Sequence, residues 1–164
     1  RIQGRITQQL ANEVGDFLLR RADGFYAYQL AVVIDDAAQQ IDQIVRGADL
    51  FGSTPRQIYL QQLLGFPQPQ DAHLPVVLDD AGQKLSKSTA ALPVDSADPV
   101  PTLLRAWRFL GQEPLTETCS NVDDFWQQAI PRWKVERVPR QHGLNTRSPL
   151  GPAVGLEQNE RSES

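Results

Sequence analysis

Methionine is absent from these 164 residues, cysteine occurs once and histidine twice. The single thiol, Cys119, cannot close an internal disulfide. With only His73 and His142 to add imidazoles, it is too small a donor set for a thiolate-rich zinc site, so no metal is assigned within the chain. Long hydrophobic runs are also missing. The apolar stretches fall far short of the roughly 20 residues a spanning helix needs, and nothing reads as a signal segment, so a cytoplasmic location is expected. Positive charge is not in excess: 16 Lys and Arg against 20 Asp and Glu give a net charge of -4. That excludes a generally basic nucleic-acid coat but leaves room for a local basic face. Lacking methionine and opening on Arg1 in a polar segment, the chain reads as part of a longer protein. What is present suits one domain with a sizeable core, at a hydrophobic fraction of 40%.

The first residues, Arg1 to Glu13, carry Ile2, Ile6 and Leu10 at four-residue spacing and fit either a helix or an extended entry. Phe17 to Arg21 is expected as a strand ending in the turn Asp23-Gly24. Phe25 to Ala38 is apolar almost all round, and its length predicts a buried helix. Ile41 to Val45 follows as a strand, with Arg46-Gly47-Ala48-Asp49 where it runs out into a loop. Ser53-Thr54-Pro55 gives a hydroxyl N-cap with proline at the first helical position, and Gly65 before Pro67 gives the stop. Ile58, Leu60, Leu63 and Leu64 should form the buried face between them. Leu74 to Leu78 is a short buried strand. The order strand, helix, strand, helix, strand is that of an α/β layer with a parallel sheet, whose ligands bind beyond the carboxyl ends of the strands.

After a Pro, Asp and Ser-rich linker from Pro93 to Pro101 come two helical patterns. Thr102 to Leu110 has Leu103, Leu104, Trp107 and Leu110 on one face and Gly111 as stop. Asn121 to Ile130 has Asn121 as cap, Asp123 and Asp124 at the positive end, and Val122, Phe125, Trp126, Ala129 and Ile130 as the buried stripe. The expected division is 1–92, an α/β region; 93–147, a linker and helical appendix; and 148–164, a disordered tail rich in Pro, Gly, Ser and Glu.

Three features carry chemistry. Lys84-Leu85-Ser86-Lys87-Ser88 presents two ammonium charges and two hydroxyls just past a strand and the turn Asp79-Asp80-Ala81-Gly82, a set suited to a polyphosphate; taken alone it reads first as a solvated loop. Arg56, in a first helical turn, opposes the helix macrodipole and calls for an anionic partner, either Asp49, Asp36 or a phosphate. Arg132, Lys134, Arg137, Arg140 and Arg147 surround Trp133 with only Glu136 opposing. That run could track an RNA backbone with Trp133 stacking on a base, or simply solvate a helix end.

Five of these motifs occur in the order seen in class I glutamyl-tRNA synthetases: Tyr28 to Asp36, Ile44 to Asp49, Ser53 to Ile58, His73-Leu74-Pro75, and Lys84 to Ser88. The chain resembles that family closely over Gly15 to Ser88, which turns the lysine stretch into an expected ATP loop. The full-length synthetases commonly read Arg-Gly-Glu-Asp-His where this chain has Arg46-Gly47-Ala48-Asp49-Leu50, and they carry a long anticodon-binding region for which the 76 residues after Ser88, part of them expected as a disordered tail, leave no room. Both departures, and the Leu103 to Trp133 pattern, are similar to the truncated paralogue family, the glutamyl-Q tRNA(Asp) synthetases.

That resemblance implies the second half of a Rossmann-type class I catalytic domain followed by a small helical appendix. It implies a monomer that uses ATP with Mg2+ to activate glutamate and transfers it to queuosine in the anticodon of tRNA(Asp). By resemblance Tyr28 and Arg46 contact glutamate; their alternatives are a core tyrosine and a surface ion pair. Lys87 and Lys84 act in catalysis, and Lys84, Leu85, Ser86, Lys87 and Ser88 bind ATP. The glutamate carboxylate is already a nucleophile, so these groups align and neutralise rather than move protons. The family's histidine-containing nucleotide motif and the zinc-binding insertion usual in the paralogue do not appear in these residues. The 164 residues alone are therefore expected not to make glutamyl-adenylate, and zinc has no ligands assigned here. A glutamyl-tRNA synthetase fragment charging tRNA(Glu), a non-catalytic RNA-binding remnant and an ordinary α/β interaction domain stay open as alternatives.

Overall fold

A computed structural model describes residues 2–86, 94–115 and 118–145. The chain divides into two compact units, one formed by 1–76 with 134–143 and the other by 77–133 with 144–164.

Unit one is built on a parallel strand pair. Strand β1 (Gln43–Gly47) lies beside β2 (Gln70–Leu74) with Arg46 opposite His73 and Gly47 opposite Leu74. Parallel neighbours need a crossover, and here it is a 3-10 turn (Ala48–Ser53) leading into helix α2 (Thr54–Leu64), which packs against helix α1 (Tyr28–Ala38). Gly65 closes α2 at φ 68°, where its own N–H and that of Phe66 return to the carbonyls of the last turn. Gly47 is needed for space: a Cβ there would crowd the Asp49 carboxylate and lie 3.1 Å from Val76 Cγ1. The entry segment holds only one π-turn (Leu10–Val14).

Several expectations change here. The stretch 17–21 forms a single antiparallel bridge, Arg20 to Tyr26, around the expected Asp23-Gly24 turn rather than a strand, since Leu18, Phe25 and Tyr26 are all exposed. Helix α1 starts at Tyr28, and only its Val33 is buried; α2 covers one side of it while Tyr28 and Ile34 remain open. Neither Ser53 nor Thr54 caps α2 with its side chain. Ser53 continues the preceding 3-10 turn at φ -84°, ψ -28°, so no chain reversal has to be capped and both hydroxyls are released for tertiary bonds. The buried face of α2 is Thr54, Gln57, Leu60 and Gln61, whereas Leu63 and Leu64 are exposed. The strand expected over 74–78 is broken by Pro75, which offers no N–H to a ladder. Strand β2 stops at Leu74, and β3 (Val76–Leu78) pairs instead with β4 (Gly143–Asn145).

In unit two the chain turns at 79–83, where Asp79 Oδ1 accepts from the N–H groups of Ala81 and Gln83 and Gly82 takes φ 77°. Lys84 bridges back to Leu78. Helices α3 (Val100–Phe109) and α4 (Val122–Arg132) then close a small core of Trp107, Phe125 and Ala129, flanked by Leu103, Leu104, Leu115 and Cys119. Trp107 meets Phe125 edge-on at 6.1 Å, and its indole N–H donates to the Glu113 carbonyl at 2.6 Å. Asn121 caps α4 as expected, accepting from the Asp124 N–H at 2.9 Å. Of the predicted stripe, Phe125 and Ala129 are buried against Trp107, but Trp126 and Ile130 face out. The expected tail lies outside the described residues.

Candidate functional site

The period of two along a strand places Asp71 and His73 on one face of β2, and the parallel register sets Arg46 beside His73. The Arg46 side chain is only 8% exposed. Its Nη1 donates to Gln57 Oε1 on α2, and its Nη2 lies 3.7 Å from Asp71 Oδ1. His73 shares a hydrogen bond with Thr54 Oγ1 at 2.9 Å and packs edge-on against Phe51 at 4.9 Å. Burial pushes the Asp71 carboxyl above the ordinary carboxylate range, outweighing the opposing pull of Arg46 and His73. Burial likewise pushes His73 below its ordinary value, against the pull of Asp71. The imidazole is thus held neutral and the guanidinium is the fixed charge of this cluster.

The His73 shift has a consequence for stability. The unfolded chain takes up a proton near pH 6.5, before the folded imidazole does, so the contribution of neutral His73 is complete above that pH and is lost as pH falls through it. Asp71 works the other way at lower pH, because its folded carboxyl protonates before the unfolded one. The urea midpoint is expected to drop between pH 8 and pH 6, and less so in His73→Gln, whose amide can still reach Thr54. Equal drops in both proteins would show that His73 is not the titrating group.

Tyr28, the first residue of α1, is half exposed, and its neighbour Gln29 reaches inward to Gln57 and Ser53. Tyr28 and Arg46 thus belong to the same unit through these amides. Neither lines the groove of about 900 Å³ in unit one that lies between residues 3–8 and the start of α2, with Phe51, Tyr59, Asp71 and His73 on its walls. Lys84, Leu85 and Ser86 belong to unit two, following the Asp79 turn, with the Lys84 side exposed. Lys87 and Ser88, together with Arg147, lie outside the described residues. The basic run is divided: Arg132 and Trp133 end α4 in unit two, while Lys134, Arg137 and Arg140 belong to unit one. Arg132 donates to the Gln128 carbonyl at 2.9 Å, and the Trp133 ring lies 5.9 Å from that of Trp107. Arg56 answers the helix dipole with a carbonyl rather than a carboxylate, donating to Gly52 O at 2.9 Å with its guanidinium over the Phe17 ring. Among the described residues no group of three or more His, Cys, Asp or Glu is arranged to hold a metal ion, and no helix is long and apolar enough to cross a membrane.

Sequence reasoning missed Gln29, Thr54, Gln57 and Asp71 as members of the cluster. A signal existed: Thr54, Gln57 and Gln61 recur at spacings of three and four, which puts a polar stripe on one helix face, while Ile58 stands apart from the leucines.

Comparison with known proteins agrees with the strand-crossover-strand geometry. The family described as tRNA synthetases class I (E and Q), catalytic domain, matches residues 1–112. A Glutamyl-Q tRNA(Asp) synthetase of Xanthomonas campestris pv. campestris is 54% identical over 145 residues, covering 88% of this chain and 49% of that protein. One of Janthinobacterium sp. is 57% identical over 130 residues, covering 79% and 44%. The chain spans about half the length of the curated relatives it matches. A crystal structure of a glutamate-tRNA synthetase from Elizabethkingia anophelis shares the fold at a TM-score of 0.60, with 23% identity over 82% of this chain and 31% of that one.

Proposed function

The chain belongs to the class I tRNA synthetases for glutamate and glutamine, and on that premise we propose that the native enzyme activates glutamate with ATP and transfers it to queuosine in the anticodon of tRNA(Asp). The observation that carries the acceptor is the identity of 54% over 88% of the chain to a relative of that name, against 23% to the glutamate-tRNA synthetase of known structure. Support for the amino acid comes from Arg46, a guanidinium oriented by Gln57 and suited to grip a carboxylate. Tyr28 adds a half-exposed phenol in the same unit. In the first step a glutamate carboxylate oxygen attacks the α-phosphorus, the bond to pyrophosphate breaks, and glutamyl-adenylate forms. In the second the acceptor nucleophile attacks the acyl carbon and AMP leaves. Lys84, Leu85 and Ser86, continuing into Lys87 and Ser88, meet the nucleotide, with the two lysines neutralising charge that grows at the phosphates. Mg2+ accompanying ATP would share that neutralisation. Residues 1–92 carry this chemistry, and of the basic run that follows within 93–147, Arg132 at the end of α4 and Lys134, Arg137 and Arg140 in unit one contact RNA phosphates while Trp133 stacks on a base.

The test is side-by-side transfer of labelled glutamate to tRNA(Asp) carrying queuosine, unmodified tRNA(Asp) and tRNA(Glu). Transfer to the first alone is expected. Efficient charging of tRNA(Glu) would replace the acceptor while leaving glutamate activation standing; adenylation without any transfer would remove all three acceptors.

A further inference from the structure

Three elements of unit one meet through a directed chain of hydrogen bonds. Arg46 on β1 donates to Gln57 Oε1 on α2, Gln57 Nε2 donates to Gln29 Oε1 on α1 at 2.9 Å, and Gln29 Nε2 donates to Ser53 Oγ at 3.0 Å. Arginine has only donors, so it decides every orientation that follows. The Gln57 carbonyl must face the guanidinium, which turns its amide nitrogen toward Gln29, and the same logic then sets Gln29.

Gln57 is 2% exposed. A buried amide is costly unless both its ends are bonded, and a leucine would fill the space between α1 and α2 without that cost. An amide with each end matched to one partner is suited to orientation more than to packing. Its two partners are the proposed carboxylate-binding arginine and the residue next to Tyr28 in the first turn of α1.

We propose that Gln57 is a positioning residue for amino-acid recognition: it fixes the rotation of the Arg46 fork and, through Gln29, holds the first turn of α1 in register with it. The inference rests on the reading of Arg46 as a glutamate contact. In Gln57→Met the volume is kept and both bonds are lost. The glutamate KM of the native enzyme is expected to rise about tenfold, the worth of one hydrogen bond to a charged group, while the ATP KM and kcat stay within about twofold. In an Arg46→Ala background the same change should add nothing, because its effect passes through that arginine.

An unchanged glutamate KM in Gln57→Met, or an equal rise in the ATP KM, overturns the proposal. If Arg46→Ala raises the glutamate KM and Gln57→Met does not, only the role of Gln57 falls. If Arg46→Ala itself leaves the glutamate KM unchanged, the reading of Arg46 fails and the role of Gln57 falls with it. Should Gln57→Met not fold, Gln29→Met decides: it cuts the second link and spares the first, with a rise of a few-fold in the glutamate KM expected and no change counting against the proposal.

Discussion

Lys87→Ala in the native enzyme is expected to lower the rate of glutamate activation by roughly 10²- to 10³-fold while leaving the glutamate KM within about threefold. The reasoning is electrostatic. During displacement at the α-phosphorus, negative charge moves onto the departing pyrophosphate, and an ammonium on a flexible stem can follow it. Such an interaction is stronger in the transition state than in the ground state, so its loss appears in kcat. Lys87→Arg keeps the charge but spreads it over a planar fork, and should recover only part of the rate. The measurement is glutamate-dependent ATP-pyrophosphate exchange at saturating glutamate and ATP. A Lys87→Ala enzyme with unchanged turnover would remove Lys87 from the chemistry.

Arg46→Ala should act on the other constant. A hydrogen bond between charged groups contributes about 1.5 to 3 kcal/mol, so loss of the grip on a carboxylate corresponds to a rise in the glutamate KM of roughly 10- to 150-fold. Removal of the guanidinium also takes away the opposite charge beside Asp71, a carboxyl that burial already pushes upward, and leaves Gln57 Oε1 without this donor. Some loss of stability is therefore expected from Arg46→Ala, and Arg46→Lys is the cleaner variant: it keeps a cation near Asp71 but gives up the fork. A glutamate KM that rises in both variants while the ATP KM holds supports the assignment. Equal changes in the two constants would make Arg46 a structural residue and nothing more.

Gln57 shows why a helix can be read correctly from sequence and its working face incorrectly. Helix α2 ends at Gly65 as its turn chemistry requires, and its start lies within a residue of the Ser53-Thr54-Pro55 signal. Leu63 and Leu64 nevertheless point outward while Gln57 is buried beside Leu60, because β1 and α1 offer polar partners on that side. Exposure of Leu63 and Leu64 could not be read from a pattern that assumes an apolar neighbour.

The signals that were local in sequence determined what is local in space. Asp23-Gly24 turned the chain, Asn121 capped α4, Gly65 stopped α2, and the order of strand, crossover and strand followed from short motifs whose meaning lies within a few residues. Five motifs in one order also carried the family. Tertiary structure alone decided which polar side chains are buried together. Arg46 meets Gln57 across 11 residues, Thr54 meets His73 across 19, and Gln57 meets Gln29 across 28. Burying such groups is favourable only when donor and acceptor arrive together. Pro75 makes the same point for the backbone: the residues on either side of it form one apolar run, yet the ladder partner changes from β1 to β4 because a residue without an N–H cannot carry the pairing across.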